Sequence, residues 1–143
     1  MKLVKVNDFR EVYNNAAIAE LMKMCMYRPT IGKLQNIAQS LYAKQQGVLY
    51  TAVIDDEIIG LIGVKKIDNN KLELFHMALN EEHRGNRLSR RLILGILEAE
   101  GINHMFCEAD HKMLLVLKRA GFKCTLKVDE MMGSETYECT LDL

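Results

Sequence analysis

At 143 residues, with 49% hydrophobic side chains, the chain is the size of one ordinary domain and carries enough apolar material to fill a core. Lys plus Arg and Asp plus Glu are equal at 19 each, so no global field holds a nucleic acid or an anionic membrane, and an anionic ligand must be gripped by a local cluster. Only 6% of residues are aromatic and none is Trp, which argues against a base-stacking nucleic-acid surface around Arg84, Arg87, Arg90 and Arg91.

Met1-Lys2-Leu3-Val4-Lys5-Val6 is too short and too charged for a signal peptide, and no apolar run approaches the roughly 18 residues that span a bilayer. The expectation is one cytoplasmic domain over residues 1–143, without a membrane or nucleic-acid partner. Cys25, Cys107, Cys124 and Cys139 lie far apart with no C-x-x-C pair, a spacing that fits neither zinc nor a disulfide framework. Buried free thiols and no metal are expected.

Leu3 to Val6 alternates weakly as a short first strand, after which Asn7 or Asp8 can cap a helix through Phe9, Val12 and Tyr13. Ala16 to Tyr27 places Ile18, Leu21, Met22 and Cys25 at helical spacing and stops at Arg28-Pro29. Thr30 then caps a helix carrying Leu34, Ile37, Ala38, Leu41 and Tyr42 that ends near Gly47. The methionines Met22, Met24 and Met26 read as core packing before they read as an adaptable pocket.

From Val48 the texture turns to β-branched and aromatic runs, Val48–Ile54, Ile58–Ile67 and Leu72–Leu79, joined by Asp55-Asp56-Glu57 and Asp68-Asn69-Asn70-Lys71. Connections this short make antiparallel hairpins. Leu88 to about Glu100 is a helix closed by Gly101, Ile102–Ala109 a buried strand, and Lys112–Ala120 a helix capped by Asp110 and ended by Gly121. Phe122–Val128 and Thr136–Leu143 form a last hairpin around Met131-Met132-Gly133-Ser134, a segment that could be an interface in a homodimer or a plain loop. Helices first, then strands with helices between them, give an α/β fold covered on both faces.

The chemistry concentrates in Glu81-Glu82-His83-Arg84-Gly85-Asn86-Arg87-Leu88-Ser89, a strand-to-helix turn. The first amides of a helix lack intrahelical partners and its dipole favours an anion there. Gly85 lets backbone approach a ligand, while Arg84 and Arg87 could neutralise a diphosphate.

Met77-Ala78-Leu79 followed by Arg84-Gly85-Asn86-Arg87-Leu88-Ser89 resembles the acetyl-CoA signature of the GNAT N-acetyltransferase superfamily, R-G-x-G-x-G/A after a strand, and Lys118-Arg119-Ala120-Gly121-Phe122 resembles its closing Gly-Phe. The resemblance runs from Leu49 to the end, with the first third fitting the family's helical lid. It implies a GNAT fold, a mixed but mostly antiparallel sheet of six to seven strands with helices on both faces. It further implies acetyl-CoA as acyl donor and a small-molecule or peptide amine as acceptor. Main-chain groups of Met77, Ala78 and Leu79 would pair with the pantetheine arm, and the amides of Arg84, Gly85, Asn86, Arg87, Leu88 and Ser89 would hold the diphosphate. Arg87 and Ser89 stand at the family's second and third loop glycines, and Asp110 stands where a cofactor-contacting asparagine is usual. Asp110 also has an ordinary reading as a helix cap.

Attack on a thioester needs a neutral amine and therefore a base. Glu73, six residues before Leu79, lies where histone-type members of the family place their general-base glutamate; His76 is the second candidate. In a regular strand residues three apart face opposite sides, so only a bulge would let both serve. Leu117 occupies the position of the usual tyrosine acid, which leaves water, Cys107, Tyr137 or His111 to protonate the thiolate. These departures motivate an alternative to a working enzyme: a non-catalytic acyl-CoA-binding or protein-interaction module on the same fold.

Overall fold

Residues 1–85 and 87–143 are described by a computed structural model of the chain. Seven strands run in chain order as β1 (Lys2–Lys5), β2 (Gly47–Ile54), β3 (Glu57–Lys66), β4 (Lys71–Leu79), β5 (His104–Ala109), β6 (Lys123–Val128) and β7 (Glu135–Asp142). They form a single sheet in the order β1-β2-β3-β4-β5-β7-β6. Every neighbouring pair is antiparallel except β4 and β5. The parallel pair is the one joined through a helix, as a parallel crossover requires. The mostly antiparallel sheet matches the expected GNAT arrangement, with seven strands because Lys2–Lys5 does pair with β2.

The helices are α1 (Glu11–Asn14), α2 (Ala16–Lys23), α3 (Ile31–Ile37), α4 (Leu88–Glu100) and α5 (His111–Arg119). Asn15 caps α2 by accepting from the amides of Ala17 and Ile18, and Thr30 caps α3 by accepting from Lys33. Two differences from the periodicity matter for the site. The Ala16 helix stops at Lys23 rather than Tyr27, so Met24 to Tyr27 become a turn; and the Thr30-capped helix gives way after Ile37 to a π-helical turn, Ala38–Tyr42. A π turn adds a residue to the repeat and re-aims the side chains after it. Here it delivers Tyr42 onto the sheet.

The sheet carries one apolar layer on each face. Leu92, Ile93 and Ile96 of α4 pack with Ile62, Val64 and Leu72 on one side, extended by Leu117 and Phe122 toward β5 and β7. Val12, Ile18, Leu21 and Met22 of the first helices, with Leu34, cover Leu49 and Leu61 on the other. Each fully buried aliphatic side chain of this kind contributes about 1.5–3 kcal/mol. No helix among the described residues is long and apolar enough to cross a membrane. The four thiols are free, and Met131 and Met132 are exposed in the last hairpin's loop.

Candidate active site

The site starts with an edge of β4. Asn80 donates its amide to the Ile59 carbonyl at 2.7 Å, so by the alternation of an antiparallel ladder the main-chain groups of Ala78 and His76 also face β3, and those of Met77 and Leu79 face the other way. On that other side β5 pairs with β4 only at Lys71, Leu72 and Glu73. Beyond Glu73 the two parallel strands part, and the β4 edge opens into a cleft of about 490 Å³. Cys25 donates its thiol to the Met77 carbonyl at 3.5 Å, and Arg84 donates Nε to the Leu79 carbonyl at 3.2 Å. Arg84 is thus turned back onto the strand.

A bulge interrupts β4. Gly63 pairs with His76 but Val64 pairs with Leu74, leaving Phe75 as the extra residue. Because Lys65 pairs with Glu73 and positions 63 and 65 share a face, the bulge puts Glu73 and His76 on the same side of the sheet. The regular-strand condition that would set the two on opposite sides does not hold here, because one residue is inserted.

The two side chains nevertheless sit in different surroundings. The His76 ring is bonded through Nδ1 to the Tyr42 hydroxyl at 2.6 Å, with the Tyr42 ring lying over Gly63. Burial lowers the imidazole to about 4, raises the Tyr42 phenol well above its ordinary range, and pushes the Cys25 thiol up to about 11. All three groups are neutral at physiological pH. Glu73 is half-buried in a neighbouring hollow of about 300 Å³ that it lines with Lys71, Phe106 and Glu108. Cys107 and Glu108 line both this hollow and the cleft, so the two adjoin.

Past the end of β4 stands the start of α4. Its cap position, Arg87, makes no side-chain capping bond and holds φ +60, and Gly85 holds φ +84. The first intrahelical bond runs from the Arg91 amide to the Arg87 carbonyl. Among the described residues, the amides of Leu88, Ser89 and Arg90 are left to face a second cavity of about 600 Å³, walled by Gly85, Arg87 and Ser89 on one side and by Val116 and Arg119 of α5 on the other. Arg90 also lines it while donating to the Ala120 carbonyl at 2.7 Å. Asn86 lies outside the described residues. A helix start whose first amides have no partner among the described residues, flanked by Arg87 and Arg119, suits a polyanion, and the separating strand edge beside it suits an extended amide chain.

Asp110 accepts from the amides of Lys112 and Met113 at 3.0 and 3.2 Å, so its carboxylate is the cap of α5 while it also borders the cleft. Leu117 is fully buried. Of the proposed acids, Cys107 borders the cleft with its thiol raised by burial to about 11, whereas Tyr137 and His111 contact each other at 3.5 Å near Glu135. Sequence reasoning did not find Tyr42 or Cys25 as parts of the site, nor Arg119 as a wall. Only Gly63 opposite a bulky strand hinted that a ring from elsewhere sits on the sheet.

The arrangement matches known proteins in both sequence and shape. Residues 14–122 match the profile of the acetyltransferase (GNAT) family. In shape the chain is similar to an aminoglycoside 6'-N-acetyltransferase from Enterococcus faecium, with a TM-score of 0.75 and 12% identity over 99% of this chain and 97% of that one. It is also similar to a GNAT family acetyltransferase from Elizabethkingia anophelis with acetyl-CoA bound, at a TM-score of 0.68 and 13% identity over 99% and 97% of the two chains. A spermidine N-acetyltransferase chimera from Vibrio cholerae gives a TM-score of 0.68 and 13% identity over 99% and 96%. At such identities the likeness is one of fold. No curated protein matches the sequence.

Proposed function

Because the chain belongs to the acetyltransferase (GNAT) family, we propose that it acts as a single domain that transfers the acetyl group of acetyl-CoA to a primary amine, with Glu73 as general base. The observation that carries this reading is the coincidence of an open β4 edge beyond Glu73 with the uncapped start of α4. One accepts an extended amide arm and the other a diphosphate, and α5 contributes to the walls of both cavities. Bound acetyl-CoA supplies the acyl group already activated as a thioester. The protein's part is to fix it, with the main chain of Met77 and Leu79 along the arm and the amides of Leu88 and Ser89, helped by Arg87 and Arg119, at the phosphates.

The Phe75 bulge leaves a main-chain amide out of the ladder, a donor for a carbonyl oxygen in the cleft. The amine must lose a proton as its nitrogen forms the new N–C bond and the C–S bond breaks, and Glu73, reached through the adjoining hollow, takes that proton by way of water. His76 is a poor base in this setting, since an imidazole lowered to about 4 takes a proton from an ammonium only at a large energetic cost. With Leu117 buried where a phenol would stand, water returns the proton to the departing thiolate.

The test is release of free thiol from acetyl-CoA in the presence of a panel of primary amines. Amine-dependent release is expected, and Glu73→Gln should lower kcat by about 10²-fold with little change in acetyl-CoA affinity. Saturable CoA binding without turnover on any amine would replace the enzyme with a CoA-binding module. An unchanged pH–rate profile in Glu73→Gln would remove Glu73 as the base.

A further inference from the structure

The mouth of the cleft has a composition that narrows the acceptor. Three of its lining residues are large, apolar and exposed: Tyr27 at 79%, Met24 at 51% and Phe75 at 45%. Tyr27 and Met24 come from the turn after α2 and Phe75 from the bulge of β4, so two separate elements present apolar surface to the same opening. Apolar side chains left in water where a ligand must enter are stabilised by a ligand that covers them.

The charges on the Tyr27 and Met24 side of the opening are positive. Arg28 stacks over the Tyr27 ring at 5.3 Å, and Lys33 donates Nζ to the carbonyls of Tyr27 and Arg28 at 2.8 Å each. Arg84 reaches the Met24 sulfur at 3.5 Å, and Lys112 lines the cleft itself. Against these stand two lining carboxylates, and Asp110 is engaged in capping α5. Glu108 remains as the exposed acid at the opening. One carboxylate can receive one ammonium, whereas a molecule with several would set its further charges against the surrounding cations.

Resting on the transferase reading above, we propose that the acceptor is a monoamine whose ammonium is carried on an aromatic or alkyl body, with that body lying on Tyr27, Met24 and Phe75 and the ammonium arriving beside Glu108. The ammonium first gives one proton to Glu73 through water; the neutral amine nitrogen then forms the bond to the acyl carbon as the C–S bond breaks, and its second proton passes through water to the departing thiolate, giving an apolar amide and free CoA. Multiply charged amines of the aminoglycoside and polyamine kind are poor acceptors for this opening.

The experiment compares kcat/KM at saturating acetyl-CoA for phenethylamine and hexylamine against spermidine and kanamycin. Phenethylamine and hexylamine are expected to exceed spermidine and kanamycin by about tenfold or more, the discrimination that an apolar contact area supplies. Tyr27→Ala, at an exposed position, should lower kcat/KM for phenethylamine about tenfold and that for spermidine by a smaller factor. Spermidine or kanamycin used as well as phenethylamine, or a Tyr27→Ala enzyme with undiminished phenethylamine turnover, overturns the acceptor assignment while the transferase reading stands. Absence of thiol release with all four amines overturns both.

Discussion

A Cβ built on Gly63 falls 1.8 Å from the Tyr42 hydroxyl oxygen and 2.7 Å from its Cζ, so the missing side chain is the seat of the ring that holds His76. Gly63→Ala must therefore displace Tyr42 from the sheet and break the 2.6 Å bond to Nδ1. Overpacking of this kind costs about 1–3 kcal/mol, and loss of the hydroxyl partner of a buried ring nitrogen adds to it. A urea midpoint for Gly63→Ala close to the parent value would show that the ring is not seated there. Tyr42→Phe keeps the packing and removes only the hydroxyl, so it should cost about 1–3 kcal/mol, the penalty for an unsatisfied buried polar atom. Nothing in the sequence could show this contact, because residues 42 and 76 lie on elements with independent periodicities. His76 itself was legible as a strand residue with two readings, half-buried or basic; the Tyr42 hydroxyl that holds its ring was not.

The elements came through more completely than their ends. The strands from Val48 onward and the helices after Thr30, Arg87 and Asp110 follow the pattern of apolar spacing and caps, because each buries one face against the sheet. What periodicity cannot register is a one-residue irregularity: the Phe75 bulge leaves the alternation of β4 outwardly intact, and the π turn at Ala38–Tyr42 continues an apolar spacing already in phase. The start of α4 shows the same limit. Gly85 at φ +84 was expected of a close-approach turn, but Arg87 at φ +60 places a side chain in the left-handed region, which costs a non-glycine residue about 1 kcal/mol or more. The two positions should then respond differently. Gly85→Ala meets no steric obstacle, since nothing lies within 4 Å of the added Cβ, yet should lose about 1 kcal/mol from backbone strain alone. Arg87→Gly should lose none, because relief of strain offsets the greater freedom of glycine when unfolded. Denaturant midpoints of the two variants decide it; equal losses in both would mean that the Arg87 conformation carries no cost.

Across the molecule the two apolar layers respond to acid through different groups. On the α1–α3 side His76 has an ordinary value of 6.5 when unfolded and is lowered by burial to about 4 when folded. A lowered folded value means that the unfolded chain binds the proton more readily. The stabilisation is complete above pH 6.5 and is withdrawn as the pH falls from there toward 4, by about 3 kcal/mol in all. On the α4 side Glu100, whose side chain is only 5% exposed, joins the end of that helix to the sheet through Lys66 at 2.6 Å and the Tyr50 hydroxyl at 2.7 Å. Burial opposes its charge, but those two hydrogen bonds outweigh it and hold the carboxyl below its ordinary 4.5. Its contribution is present above pH 4.5 and goes only as the pH drops through the lower folded value. Acid should therefore weaken the protein in two stages. Guanidinium midpoints between pH 7.5 and 3 are expected to fall first between 6.5 and 4, and His76→Gln should flatten that first stage while the fall below 4.5 persists. The readout is the slope rather than the absolute midpoint, since the substitution also changes packing against Tyr42. If the parent and His76→Gln curves run parallel through the first stage, the imidazole is already solvated in the folded protein, and burial is not what keeps it neutral.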